Sequence, residues 1–151
     1  MARKELMKYL KSHKLMQLAT GTGKPTICTV YYATDGKFNL YFISNPKTRH
    51  CTNIRKNSSV ACAVTDSDQT VTSRKSGMQI YGTASHLKTE KEIRKSLDLW
   101  NNANPGLEKF ITFERMKDGR MTDRLYKIKI KEIKFFSEKL YGSEGFRTFR
   151  F

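Results

Sequence analysis

The sequence predicts a mainly β (α+β) domain, in which antiparallel strands form a small barrel and helices lie at its periphery. Short runs rich in β-branched and aromatic residues recur along the chain, with turn residues between them. An Asp-Gly pair at 35–36 separates two such runs and favours a hairpin. One long run near the C-terminus changes its apolar parity once, as a β-bulge would.

The composition fits one soluble domain over residues 1–151. Neither an internal repeat nor a long linker is apparent in the sequence. Lys and Arg number 29 against 14 Asp and Glu, a net charge of +15. A field of this sign favours anionic partners such as phosphates, although the same charge also fits a surface that only keeps the protein in solution.

The first half of the chain is predicted to hold a helix and four strands. Leu6 and Leu10 recur at helical spacing, and His13 is expected at the end of that helix. Glycines predict a turn at 21–24. The strand-like runs are Leu15–Thr20, Thr26–Tyr32, Phe38–Ser44 and Ser59–Thr65. The last is apolar on both faces, and we expect both to be buried.

The second half is predicted to hold a helical insertion between two long strands. Met78–Leu87 is strand-like, with Gly82 at a bulge or tight bend. Thr89 and Glu92 form a capping box before a helix that buries its apolar face. Asn104 followed by proline indicates a second short helix. That helix would contain Leu107, Phe110 and Ile111.

The last strands are predicted from alternation. Apolar residues alternate with lysines from Tyr126 to Ile130, and the parity shifts at Ile133. This shift predicts a bulge near Lys131–Glu132. The tail, Phe146–Phe151, alternates Phe with polar residues and is expected to add a final strand.

The strongest local signal for function is the segment from Asn45 to His50. Asn45 suits an N-cap and Pro46 the first helical position, so the sequence predicts a helix from here to about Lys56. The N-terminus of a helix offers free N–H groups and the positive end of the helix dipole to an anion. Side chains of the same turn would add donors, namely those of Lys47, Thr48, Arg49 and His50. A solvated basic helix start is the alternative interpretation.

Several classes of site are absent from the sequence. It has no GxGxxG or P-loop motif, and its carboxylates are scattered. The three histidines, His13, His50 and His86, lack metal-ligand spacing, so no metal site is predicted. Catalytic residues cannot be assigned from the sequence.

Other features give expectations about partners and compartment. The lysines from Lys127 to Lys134 could line a nucleic-acid groove, but alternating lysines are more typical of a strand's solvent face, so nucleic acid is an unlikely partner. Cys28, Cys51 and Cys62 show no CxxC spacing and are expected to be free thiols. Together with the lack of a long apolar run, this predicts a cytoplasmic protein with no membrane contact.

In order and motif, the chain resembles the pyridoxamine 5′-phosphate oxidase-like family of FMN-binding split barrels, and most closely its small uncharacterised bacterial members. The resemblance lies in PTICTVYY, the hairpin after it, LYFIS, NPKTRH, SVACAVTD, MQIYGTASHL and the tail LYKIKIKEIKFF. It covers most of the chain and is weak between Lys88 and Arg120.

The resemblance implies a six-stranded antiparallel split barrel, a homodimer and FMN in the dimer interface. Thr48, Arg49 and His50 match the run that holds the FMN phosphate, with Lys47 in the same turn. Ile43 and Ser44 match flavin contacts on the preceding strand. One strand of the family fold has its backbone edge facing the isoalloxazine ring. The residues of this chain that match it are Cys28, Thr29, Val30 and Tyr31. Gln79 would reach across from the other subunit.

The chain also departs from the family pattern. His50 stands where a lysine is usual, and basic residues expected before the hairpin are missing. The C-terminal substrate-binding segment of the founding oxidase is also missing. The resemblance implies a flavin-dependent oxidoreductase acting on an unidentified small molecule. The departures argue against pyridoxamine phosphate oxidation. The alternatives are a non-enzymatic flavin or haem binder, with His86 or His50 as the axial ligand, and more remotely a basic nucleic-acid-binding barrel.

Overall fold

The computed structural model describes residues 1–21 and 23–151. The turn predicted at 21–24 includes Thr22, which lies outside the described residues. In chain order the elements are α1 (Ala2–Ser12), β1 (Leu15–Thr20), β2 (Thr26–Thr34), β3 (Asn39–Ser44), α2 (Arg49–Lys56), β4 (Ser59–Thr65), β5 (Ser76–His86), α3 (Glu90–Ala103), α4 (Phe113–Lys117), β6 (Arg124–Ser137), α5 (Glu138–Tyr141) and β7 (Phe146–Arg150).

The strands form one closed antiparallel barrel. Their order is β3-β2-β1-β4-β5-β6-β7, and β3 also pairs with β6, which closes six strands into a barrel and leaves β7 as an extension of β6. The predicted hairpin joins β2 and β3, with Asp35 accepting hydrogen bonds from the backbone N–H groups of Lys37 and Asn39. The predicted six-stranded split barrel is confirmed.

The predicted bulge on β6 is confirmed. Tyr81 lies opposite Glu132 and Gly82 lies opposite Ile130, so Lys131 is the extra residue of the longer strand. A Cβ at position 82 would overlap the carbonyl oxygen of Lys129. The close approach of the two backbones therefore requires glycine here.

The barrel interior is the main core. It is filled by fully buried side chains from the strands and from α1 and α2, including Leu6, Leu18, Phe42, Tyr126 and Ile128. Helix α1 packs on the barrel at Tyr32, whose hydroxyl donates to the Leu10 carbonyl at 2.6 Å. A second, smaller apolar cluster lies under α3 and α4 and is built on Tyr41, Leu97 and Leu125.

Helix α3 begins at its predicted cap, because the Thr89 hydroxyl accepts from the Glu92 N–H. The prediction of a short helix starting at Asn104 is wrong. Asn104 instead ends α3, and its side chain donates to the carbonyl of Tyr32 at 3.2 Å. The next helix, α4, begins only at Phe113, after the predicted stretch from Leu107 to Ile111, and Thr112 is its N-cap. The hydrogen bond from Asn104 thus joins the end of α3 to β2.

Strand β4 is not buried on both faces, contrary to expectation. Its burial alternates, with Val60, Cys62 and Val64 in the core and Ala61 and Thr65 exposed. The small alanine side chains explain the misleading pattern, since they are apolar without being large enough to require burial.

Two further features concern the cysteines and the apolar length of the helices. Cys28, Cys51 and Cys62 are free thiols, as predicted. No helix within residues 1–21 and 23–151 is long and apolar enough to cross a lipid bilayer.

Candidate anion and cofactor site

The segment from Asn45 to His50 forms a tight turn followed by the start of α2. The cap predicted at Asn45 is wrong: Thr48 is the N-cap, and its hydroxyl accepts from the Cys51 N–H at 3.4 Å. Asn45 closes the turn instead, with its side-chain oxygen accepting from the Lys47 N–H at 2.9 Å. Arg49 and His50 are therefore the first two helical residues, closer to the positive end of the helix dipole than predicted.

This turn offers unpaired donors. Within the described chain, the backbone N–H groups of Arg49 and His50 have no hydrogen-bond partner. The side chains of Lys47 and Arg49 are exposed and form no ion pair with any described residue. Two free N–H groups and a forked guanidinium can converge on one dianion, so a phosphate group fits this turn.

His50 links the turn to the preceding strand. Its Nε2 lies 2.6 Å from the Ser44 hydroxyl and 3.2 Å from the Thr48 hydroxyl. The thiols of Cys28 and then Cys51 interact with the ring and raise the pKa of His50 to about 9, although burial alone would lower it. His50 is thus an imidazolium at neutral pH and adds a positive charge beside the free N–H groups.

The Cys51 thiol lies under the turn and is fully buried. Burial would raise its pKa, but hydrogen bonding to His50, Thr48 and Tyr126 more than offsets this and lowers the pKa to about 7. The buried Tyr126 hydroxyl has no hydrogen-bond partner of good geometry among the described residues, and Cys51 is the polar group beside it. Cys51, which sequence reasoning treated only as a free thiol, belongs to the site.

Further cations surround the turn. Arg55 donates to the Pro46 carbonyl at 2.9 Å, and Arg124 begins β6 directly opposite Ser44. Both act on His86, whose pKa is lowered first by burial and then by Lys88, Arg124 and Arg55. Sequence reasoning missed these two arginines. The spacing of seven residues between Thr48 and Arg55, two helical turns, could have indicated Arg55.

The β2 residues matched by resemblance divide between two faces. Cys28 and Val30 are half-buried and pack on the core, whereas Thr29 and Tyr31 point outward and are exposed. Gln79 is exposed on β5. The register places Thr29, Gln17, Ala63 and Gln79 in one row across β2, β1, β4 and β5.

That mostly polar row lies on the outer face of the sheet, beside a more apolar row. Ile27, Tyr31 and Tyr81 are 71%, 55% and 47% exposed, and Ala19 and Ala61 lie between Ile27 and Tyr81 in register. We call the outward-facing residues of β1, β2, β4 and β5 the alanine face. This face presents the exposed rings of Tyr31 and Tyr81 near the small side chains of alanines such as Ala61.

The structure gathers some predicted site residues and separates others. Cys28, Ser44, Thr48 and His50 meet in one cluster at the start of α2. Ile43, next to Ser44, points the other way and packs against the smaller apolar cluster under α3.

Comparison with family models decides the family. The model for pyridoxamine 5′-phosphate oxidase matches residues 2–136. The chain belongs to this family. A comparison with curated proteins finds no match.

Known structures of the family fold include several similar to this chain. A haem-binding protein from Mycobacterium smegmatis is 15% identical, with a TM-score of 0.78, over 99% of this chain and 58% of that one. Campylobacter jejuni ChuZ is 16% identical, with a TM-score of 0.76, over 99% and 59%. A NimC/NimA family protein from Clostridium acetobutylicum is 17% identical, with a TM-score of 0.69, over 98% and 91%. This chain spans somewhat over half the length of the first two.

Proposed function

We propose that this protein binds FMN as a homodimer and acts as a flavin-dependent oxidoreductase on a small molecule. The FMN phosphate lies at the start of α2, and the isoalloxazine ring lies against β2 and the alanine face. The observation that carries the proposal is the pair of unpartnered N–H groups of Arg49 and His50 beside two unpaired cationic side chains. Membership of a family described as an oxidase supports the redox chemistry.

The charge of the turn favours a phosphate. A phosphate monoester carries a charge of about −1.5 to −2 at neutral pH and accepts hydrogen bonds on three oxygens. The Arg49 guanidinium can donate to two of these oxygens, while the backbone N–H groups of Arg49 and His50 donate to the third. The Thr48 hydroxyl is not a free donor, because it donates to the Asn45 carbonyl at 2.8 Å. The imidazolium of His50 replaces the lysine usual in the family, and its bond to Ser44 fixes the ring in place.

The alanine face supports the dimer. An isologous interface needs a self-complementary patch, and the alanines let two sheets approach closely around Ile27 and Tyr81. Exposed apolar groups in a contiguous patch are typical of such interfaces. Gln79, in the same row as Thr29, would then lie near the partner's β2 and its flavin.

Bound flavin would supply the electron transfer. The chain's own residues bind the phosphate, orient the ring along β2 and exclude water from one side of it. Trp100 contributes to this positioning because its indole N–H donates to the Tyr31 carbonyl at 3.2 Å and holds that end of β2 under α3.

The direct test is the optical spectrum of freshly purified protein, followed by identification of what it releases on denaturation. We expect flavin absorbance and release of FMN in a ratio of one per chain. Protein that stays colourless after incubation with excess FMN, and does not quench FMN fluorescence, would refute the proposal.

Haem is the second candidate, and one observation favours it. The His86 ring stacks on Tyr126 at 5.2 Å, and its lowered pKa keeps the imidazole neutral, as an axial ligand must be. The M. smegmatis neighbour is a haem-binding protein. A Soret band that disappears in His86→Ala and persists in Arg49→Ala would favour haem over FMN.

A further inference from the structure

A cavity of about 330 Å³ lies on the side of the molecule where α1, the start of β5 and α5 meet. Its volume is within the range of small-molecule sites. None of the residues assigned to the phosphate turn lines it. The cavity is therefore a second place at which a ligand could bind.

The rim of this cavity is strongly basic. Lys8 comes from α1, Arg74 from the segment before β5 and Lys139 from α5, and each is exposed. None of the three forms an ion pair with any residue that the structure describes. A fourth cation, Lys75, is paired with Glu138 at 3.7 Å. Three like charges from three separate elements repel one another, and a bound anion would relieve that repulsion.

The floor of the cavity is aromatic. Phe135 and Tyr9 line it, and their rings lie 5.0 Å apart, with Phe135 the more buried. Tyr141, which does not line the cavity, supports the Phe135 ring edge-on at 6.1 Å. Leu140 lines the mouth and is 41% exposed. Flat apolar groups stack well on such a floor, since aromatic pairs favour offset or tilted contact at these separations.

Two hydroxyl groups, those of Tyr9 and Ser76, belong to residues that line the cavity. The Tyr9 hydroxyl and the Ser76 hydroxyl are 3.2 Å apart, and either can donate to a ligand in the cavity. Glu5 is the acidic residue among the lining residues, against four cations. The balance of charge favours an anion, and one of the two hydroxyls can donate a hydrogen bond to an oxygen of that anion.

We propose that this cavity binds a small organic anion with a flat apolar body, seated on Phe135 and Tyr9 and held by Lys8, Arg74 and Lys139. Carboxylate and phosphate groups would both satisfy the rim. The site is separate from the phosphate turn, so the proposal stands whether or not the protein binds FMN.

The test is isothermal titration calorimetry of the full chain at low salt with matched probes. These are 2-naphthoate, 2-naphthyl phosphate, the neutral 2-naphthalenemethanol and inorganic phosphate. Both naphthyl anions should bind, and the alcohol and inorganic phosphate should bind at least fivefold more weakly. The double variant Arg74→Gln/Lys139→Gln should weaken both anions roughly five- to tenfold, because each exposed contact contributes modestly.

The control variant removes two positive charges elsewhere. Lys91→Gln/Lys109→Gln changes two exposed lysines outside the cavity and should leave probe affinity unchanged. Arg49→Ala should leave it unchanged as well. Equal losses in both double variants would assign the effect to overall charge and overturn the proposal. So would equal binding of the alcohol, no binding of either anion at millimolar concentration, or a loss of probe affinity in Arg49→Ala as large as that in Arg74→Gln/Lys139→Gln.

Discussion

The Nε2 atom of His50 lies 2.6 Å from the hydroxyl oxygen of Ser44, which joins the end of β3 to the first turn of α2. This contact keeps the imidazole against the helix start rather than in solvent. Cys28 of β2 and Cys51 of α2 lie on the same ring, so three elements converge on one side chain.

Arg49→Ala should weaken FMN binding roughly ten- to hundredfold, because a hydrogen bond to a charged group contributes about 1.5–3 kcal/mol. Riboflavin lacks the phosphate and should bind wild type and variant alike. Thr48→Ala should cost less, since backbone N–H groups remain. Fluorescence quenching titrations with both ligands measure the contrast.

The matched control for Arg49 is a cation outside the site. Lys129→Glu changes an exposed residue on β6 and should leave FMN affinity near wild type. If Arg49→Ala weakens riboflavin as much as FMN, or weakens neither, the turn is only a solvated helix start.

His50 should titrate at a higher pH than His86. Its pKa is raised to about 9, so it stays protonated through neutral pH and loses its charge as the pH rises through 9. The stability it contributes is complete below its unfolded value of about 6.5 and disappears between about 6.5 and 9. NMR titration of the imidazole protons should show this, with His86 titrating below 6.5.

Replacement of the neighbouring thiol supplies the control for that titration. Cys51→Ser removes one of the two sulfur contacts, so the His50 midpoint should move down while the His86 midpoint stays. A His50 midpoint near 6.5 in the wild type would mean that the thiols do not hold its charge.

The sequence predicted the barrel well because its strands are marked by local signals. The hairpin turn at Asp35 and the bulge near Lys131–Glu132 were each predicted from neighbouring residues alone, and both are confirmed. The error at Asn104 has a tertiary cause. Its favourable cap-plus-proline pattern loses to the hydrogen bond from its side chain to the Tyr32 carbonyl, 72 residues away.

The candidate site was predicted in part for the same reason. Thr48, Arg49 and His50 adjoin one another in sequence, so the turn could be found there, although the helix start was misplaced. Cys51 follows His50 directly in α2, but Tyr126 and Arg124 reach the turn from β6 through strand pairing and packing. No local pattern carries that information.

The three thiols should react with a disulfide reagent at different rates in the native protein. Cys62 is buried, and desolvation together with Cys28 raises its pKa to about 12, so it should react last. Cys28 is half-buried and should react first. Time-resolved thiol titration measures this order, and denatured, non-reduced protein should give three free thiols. Fewer than three would contradict the free-thiol assignment.

Gly82→Ala should destabilise the barrel by about 1–3 kcal/mol, because the added Cβ would overlap the Lys129 carbonyl at the bulge. Thermal unfolding should shift down by several degrees for a chain of this length. Gly36→Ala is the control, since a Cβ there meets nothing within 4 Å. Equal melting temperatures for the two variants would show that the β5 and β6 backbones can move apart at the bulge with no loss in the free energy of unfolding.

If the protein is the proposed dimer, Ala61→Glu should convert it to a monomer and weaken FMN binding. Ala61 is exposed at the centre of the alanine face, between Ala19 and Tyr81 in register, so the fold should tolerate the larger side chain. In a dimer it would place a carboxylate against its own copy in an apolar interface. Light scattering across a dilution series, run beside FMN titration, measures both effects.

The control for Ala61 is Ser143→Glu, which adds the same charge at an exposed turn between α5 and β7 and should change neither measurement. Loss of the dimer with full FMN affinity would place the cofactor within one subunit and remove the alanine face from the site. A dimer that survives Ala61→Glu must use another surface. Joint loss of dimer and FMN affinity, with riboflavin affinity reduced as well, is the expected result, because the isoalloxazine ring and not the phosphate would lie against that face.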